Sequence, residues 1–161
     1  MYENNIIYDA YYLINKFNQN GLDVSNLQIQ KLMYFFEAYY MTIHDDTDKL
    51  YDCNFNAWAF GPVAIPLYTE FRKFGSGPIV LTEENKKCGN SITDEKKKLL
   101  DNMYEAFKNI PSMELVKLTH MSGSPWDVVW KRNGQKVGYG ANTYIDKIET
   151  RDWFKKTFGK E

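Results

Sequence analysis

The segment from Leu27 to Ile43 limits most severely what this chain can fold into. Leu32, Met33, Tyr34, Phe35, Phe36, Tyr39, Tyr40 and Met41 leave it apolar on nearly every side. A helix with one apolar stripe lies on a core, whereas a helix apolar all round has to be wrapped by other elements. Each such side chain contributes about 1.5–3 kcal/mol when fully buried. Ser25, followed three residues later by Gln28, is the capping-box pattern that would start this helix. Lys31 and Glu37 interrupt the apolar surface and, if buried, need partners.

The other segments read as pieces laid around that helix. Over residues 5–19, Ile6, Ala10, Leu13, Ile14 and Phe17 form one apolar stripe, and Asn20-Gly21 supplies a stop. Phe55 to Tyr68 crowds aromatic residues around Gly61-Pro62 and Pro66, so the chain is expected to stop at Gly61, turn rigidly and restart as a helix near Pro66. Leu67, Tyr68, Phe71 and Phe74 fall on the inner side of that short helix. The crowded rings make either a corner of the core or a surface pocket. Residues 76–93 are weakly patterned, with room for one short β-hairpin near 76–92 and Pro78–Leu81 as a strand. A helix from Thr93 or Asp94 to Asn109 carries Leu99, Leu100, Met103 and Phe107, and Ser112 can cap the next, with Leu115, Leu118 and Met121. Ser124-Pro125-Trp126-Asp127 is a further helix start, with Ser at the cap, Pro in the first turn and Asp at the positive end. Gln135–Thr143 reads as irregular. A last helix runs from about Thr150 to Phe158, burying Trp153 or Phe154 and Phe158. The expected fold is all-α, a single compact helical domain over residues 1–161 around a buried central helix.

Charge and motifs remove several functions. With 20 basic against 21 acidic residues the chain has no basic excess, which argues against direct binding to nucleic-acid backbone. The apolar run from Leu32 to Met41 is broken by Glu37 and is too short to span a bilayer. Met1–Asn5 lacks the basic start and apolar core of a signal peptide, and Cys53 and Cys88 form no CxxC pair, so a reduced, cytoplasmic protein is expected. His120 with Ser122, Ser124 and Asp127 contains the residue types of a hydrolase triad. Met121-Ser122-Gly123-Ser124-Pro125 is not a nucleophile elbow, however, and no strand precedes it. A His between two helix ends more simply hydrogen-bonds the loop. Asp45, Asp46 and Asp48 beside His44 lack the Gly and closing Glu of a calcium loop. The chain is therefore expected to be no enzyme and to hold no catalytic, metal or cofactor site.

Three local patterns carry a family likeness. They are Leu27-x-x-Gln30-Lys31-Leu32-x-Tyr34-Phe35, then Ala57-Trp58-x-x-Gly61-Pro62-Val63 with Tyr68 and Phe71, then Leu118-Thr119-His120 leading to Ser124-Pro125-Trp126. In order and spacing they resemble the SocA-like Panacea antitoxin domain, also met in phage-associated GepA-type proteins. The resemblance runs from the first helix to Ile148 and the Trp153-Phe154 pair. It implies a mostly helical antitoxin whose partner is a cognate protein toxin, neutralised by direct binding. One branch of the family acts instead as an adaptor that delivers its toxin to a ClpXP-type protease, and a phage or mobile-element protein binding a host factor is a further alternative. Candidate partner-binding residues are Trp58, Phe60, Val63, Tyr68 and Arg72 at the corner, with Trp126 nearby. Lys31, Tyr34, Gly61, Pro62, His120, Ser124 and Pro125 are the expected structural residues of the motifs.

Overall fold

The computed structural model describes residues 4–44 and 49–159. Helix α1 (Ile6–Gln19) is capped by Asn5, and Ile6, Ala10, Leu13, Ile14 and Phe17 are buried along its stripe. Helix α2 (Asn26–Ile43) starts at Ser25, whose hydroxyl accepts from the Gln28 amide. As its all-round apolarity requires, α2 is the centre of the molecule. It packs against α1 and against α3 (Ile65–Phe71), α5 (Asp94–Phe107), α6 (Ser112–Thr119) and α8 (Lys147–Phe158). Phe35 is enclosed by rings from two of these, with Phe107 at 5.4 Å, Trp153 at 6.2 Å and Phe158 at 5.6 Å between centroids. Of the two alternatives in α8, Phe154 is the buried residue, while Trp153 and Phe158 are half-buried.

The charged interruptions of α2 do find partners. Glu37 accepts from the backbone amides of Leu50 and Tyr51, at 3.0 and 2.8 Å, and from Lys147. The carboxylate thereby ties the chain after α2 and the start of α8 to the central helix. Residues 45–48, with the three Asp of the charged loop, lie outside the described residues.

Several expectations are corrected. A hairpin exists, but at the aromatic corner rather than near 76–92: β1 (Phe55–Trp58) pairs antiparallel with β2 (Gly61–Ala64). Residues 83–90 instead form α4 (Glu83–Asn90), opened by a capping box between Thr82 and Asn85. Its sequence, EENKKCGN, has no apolar stripe to reveal a helix. It packs on α1 through Gly89, where an added Cβ would stand 2.8 Å from the Tyr12 nitrogen. Pro78 makes a single bridge to Ser25 and no strand. Ser112 opens α6 without capping it; Pro111 holds the cap position. Helix α8 begins at Lys147 because Asp146 caps it. Tyr68 and Phe74 are not on the inner side with buried Leu67 and Phe71: Tyr68 is exposed and Phe74 half-buried. No helix among the described residues is long and apolar enough to cross a membrane.

Candidate functional site

The corner starts from Gly61. Its φ of +107° belongs to glycine, and a Cβ there would lie 2.7 Å from Lys31 Cε and 2.8 Å from Thr119 Oγ1. The turn can therefore approach α2 and α6 closely only because residue 61 has no side chain. Strand β2 then runs along α2, which closes the strand's outer edge with side chains. Lys31 Nζ donates to the Pro62 carbonyl at 3.0 Å, and Gln30 Oε1 accepts from the Ala64 amide at 2.9 Å. Gln30 is held in turn by its own bond to Asn26. An edge strand with unpaired backbone groups invites pairing with another chain. Here Gln30-Lys31 satisfies those groups, which is the physical reason for that dipeptide in the first pattern. Lys31 is fully buried, and burial pushes its amine from the usual 10.5 down to about 7.

The third pattern supports the corner from behind. Ser124 caps α7 (Pro125–Arg132), accepting from the Asp127 amide at 3.1 Å and donating to the Thr119 carbonyl at 2.7 Å. Asp127 accepts from the Gly123 amide and from Lys131, and the amide holds its carboxyl below the usual range. Trp126 is buried and donates its indole N–H to the Trp58 carbonyl at 2.7 Å. His120 lies flat on Trp126, 3.6 Å between centroids and 7° between planes. The expectation that this His bonds the loop is corrected at Nε2, which is buried with no hydrogen-bond partner among the described residues. Burial and nearby Lys31 push its pKa down, against Asp127. The Ser124 hydroxyl donates to the Thr119 carbonyl and accepts from the Asp127 amide, a capping role rather than a bond to His120.

In front of this frame opens a groove of about 500 Å³ lined by Leu27, Trp58, Phe60, Val63, Tyr68 and Val137, among others. Trp58 is half-buried and donates its indole N–H to the Gly138 carbonyl at 2.9 Å. Its ring meets Tyr68 and Tyr139 edge-on at 5.3 and 5.5 Å. Phe60 is 61% exposed and Tyr68 38%, whereas Val63 is buried in the floor. Four of the six candidate partner-binding residues are thus brought together. Arg72 is exposed one turn beyond Tyr68, outside the lining; Trp126 sits beneath Trp58 and does not reach the groove. Tyr34 belongs elsewhere, bonding Thr150 on α8 at 3.0 Å.

Sequence reasoning missed Val137 and Tyr139, which come from the irregular segment before the short 3-10 turn at 141–143. Their one signal was an apolar and an aromatic residue in a Gly-rich stretch. A larger concavity, about 700 Å³, lies beside the first turns of α1 and α5. Three of its polar side chains are engaged: Lys96 with Asp9, and Asn5 and Thr93 with the amides they cap.

Comparison with known proteins gives two likenesses. The family described as "Antitoxin SocA-like, Panacea domain" matches residues 29–127, from the first turns of α2 into α7, a span that encloses the corner. The chain is also similar to the protein named Antitoxin SocA of Caulobacter vibrioides (strain NA1000 / CB15N). The two are 26% identical over 152 residues, which is 89% of this chain and 80% of that protein. No solved structure matches the chain.

Proposed function

The chain belongs to the SocA-like Panacea antitoxin family, and from that premise we propose that it neutralises a cognate protein toxin by binding it directly through the aromatic corner. The observation that carries this reading is the pairing of exposed rings with a rigid support. Phe60 and Tyr68 stand exposed at the mouth of a groove whose back is fixed by Trp58, Trp126 and the Lys31–Pro62 bond. Specific interfaces bury about 1,600 Å² in total, with a few aromatic or Arg anchors in preformed pockets carrying most of the energy. In this reading Phe60, Tyr68 and Arg72 are the anchors, and Val63 and Trp58 shape the pocket. Trp126, with Gly61, Pro62, His120, Ser124 and Pro125, holds the frame. Inhibition is by occlusion, in the cytoplasm, with no membrane or nucleic acid involved.

The test is co-expression with the neighbouring reading frame, followed by tagged pull-down and a growth assay. A stoichiometric complex is expected, with the neighbour toxic alone, harmless in the pair, and unchanged in half-life. The exposed double variant Phe60→Ser/Tyr68→Ser should lose both rescue and complex while keeping its melting temperature. A shortened toxin half-life would replace occlusion with delivery to a ClpXP-type protease. No complex and no toxicity would overturn the reading in favour of a host or phage partner.

A further inference from the structure

We propose that the groove takes a partner segment of defined chemistry: a large apolar or aromatic side chain flanked by Asp or Glu residues. The identity of that partner as a toxin rests on the reading above; the chemistry of the segment rests on the groove itself. Its walls are Leu27, Trp58, Phe60, Val63, Tyr68 and Val137, so what enters must be apolar. Its surroundings are cationic. Lys73 stands two residues before Gly75 of the lining and Lys136 next to Val137, and Arg72 is one turn past Tyr68; all three are exposed. Within three residues of the lining the carboxylates are Glu70, which accepts from the Tyr11 hydroxyl at 2.6 Å, and exposed Asp23, against exposed Arg72, Lys73 and Lys136.

One further feature has the same sign. Helix α2 begins at Asn26 and Leu27 of the lining with no acidic residue in its first turn, the nearest before it being Asp23, two residues ahead of the Ser25 cap. The chain as a whole carries a net charge of −1, so this positive rim is local and not a reflection of composition. An acid-flanked apolar anchor would bury its side chain and leave its carboxylates at the rim beside Arg72, Lys73 and Lys136. A Lys- or Arg-flanked anchor of the same shape would meet like charge, which selects against wrong partners and slows their encounter.

The probe is a phage-displayed library of random twelve-residue peptides, selected on the purified protein and counter-selected on Phe60→Ser/Tyr68→Ser. Peptides that depend on the groove should be enriched in an aromatic or large aliphatic residue flanked by Asp or Glu. By fluorescence anisotropy, their affinity should fall about tenfold or more in Arg72→Glu/Lys136→Glu and weaken as salt is raised. Enrichment of basic flanks, no charge bias, or no groove-dependent peptide at all would each overturn the proposal. So would a dimer in sedimentation that dissociates on Phe60→Ser, since that puts a second copy of this chain in the groove. Acid-flanked peptides without a toxic neighbour would leave this inference standing and remove the antitoxin reading; rescue of a toxin without that bias would do the reverse.

Discussion

Lys96 and Lys31 are both buried, 6% and 0% exposed, yet one meets a carboxylate and the other a backbone carbonyl. On the α1–α5 side, Lys96 bonds both oxygens of Asp9, at 3.0 and 3.2 Å, and the Tyr51 hydroxyl donates to the same carboxylate. Burial pushes the Asp9 carboxyl up, against the pull of Lys96 and Tyr51. That cluster ties three distant parts of the chain together and uses up its own polarity. At the corner, Lys31 donates to Pro62 with no carboxylate in its bond, and desolvation brings its amine to about 7. The first arrangement is closed on itself. The second leaves a buried lysine with no carboxylate in its bond under an apolar groove.

The largest expected effect would break the closed side. Asp9→Ala strands a buried ammonium and should cost about 3–5 kcal/mol in urea unfolding. Replacing both members, Asp9→Leu with Lys96→Met, should recover most of that loss. If the single and double variants were equally unstable, the cluster would not be a matched pair. Next is Gly61→Ala, where positive φ and a Cβ 2.7 Å from Lys31 Cε predict a loss of roughly 1–3 kcal/mol by thermal unfolding. A neutral result would mean that the turn and α2 can separate at no cost.

Lys31 makes stability depend on pH. The folded amine of Lys31 titrates near 7 and the unfolded one near 10.5, so between these values the unfolded chain binds more protons. Stability should therefore rise with pH across that window, by up to about 1.4 kcal/mol per pH unit, and the full penalty should be present below pH 7. Urea titrations from pH 7 to 9 should show this slope in the native protein and its loss in Lys31→Met. Trp58→Phe removes the bond to Gly138 and should cost about 1 kcal/mol, read as faster amide exchange over residues 135–140. Smallest is Phe60→Ser, within about 0.5 kcal/mol in melting experiments because the ring is exposed. Its effect belongs to binding.

Much of the fold was legible because it is written in local patterns. The stripe of α1, the all-round apolarity of α2 and the Ser124-Pro125 start of α7 each depend on residues a few positions apart. Helix α4 was not legible, since it contains no apolar stripe and owes its place to a close backbone approach at Gly89. The hairpin was missed because its strands are four residues each and the second opens with Gly61-Pro62, so no alternation betrays them. At the site, the motif residues were in view, but their division of labour was not. Trp126 and Phe60 look alike as candidate anchors in the sequence; one is buried under Trp58 and the other is 61% exposed.

The sequence by itself determined that this is a mainly helical antitoxin-family chain built around one buried helix, because helical periodicity, caps and the three spaced patterns are one-dimensional signals. The tertiary structure alone decided that Gln30 and Lys31 close a sheet edge more than thirty positions away, and that Val137 completes the groove. It also decided that a buried lysine lies beneath that groove. Those are contacts between distant segments, fixed by which backbone groups still needed partners once the helices had packed.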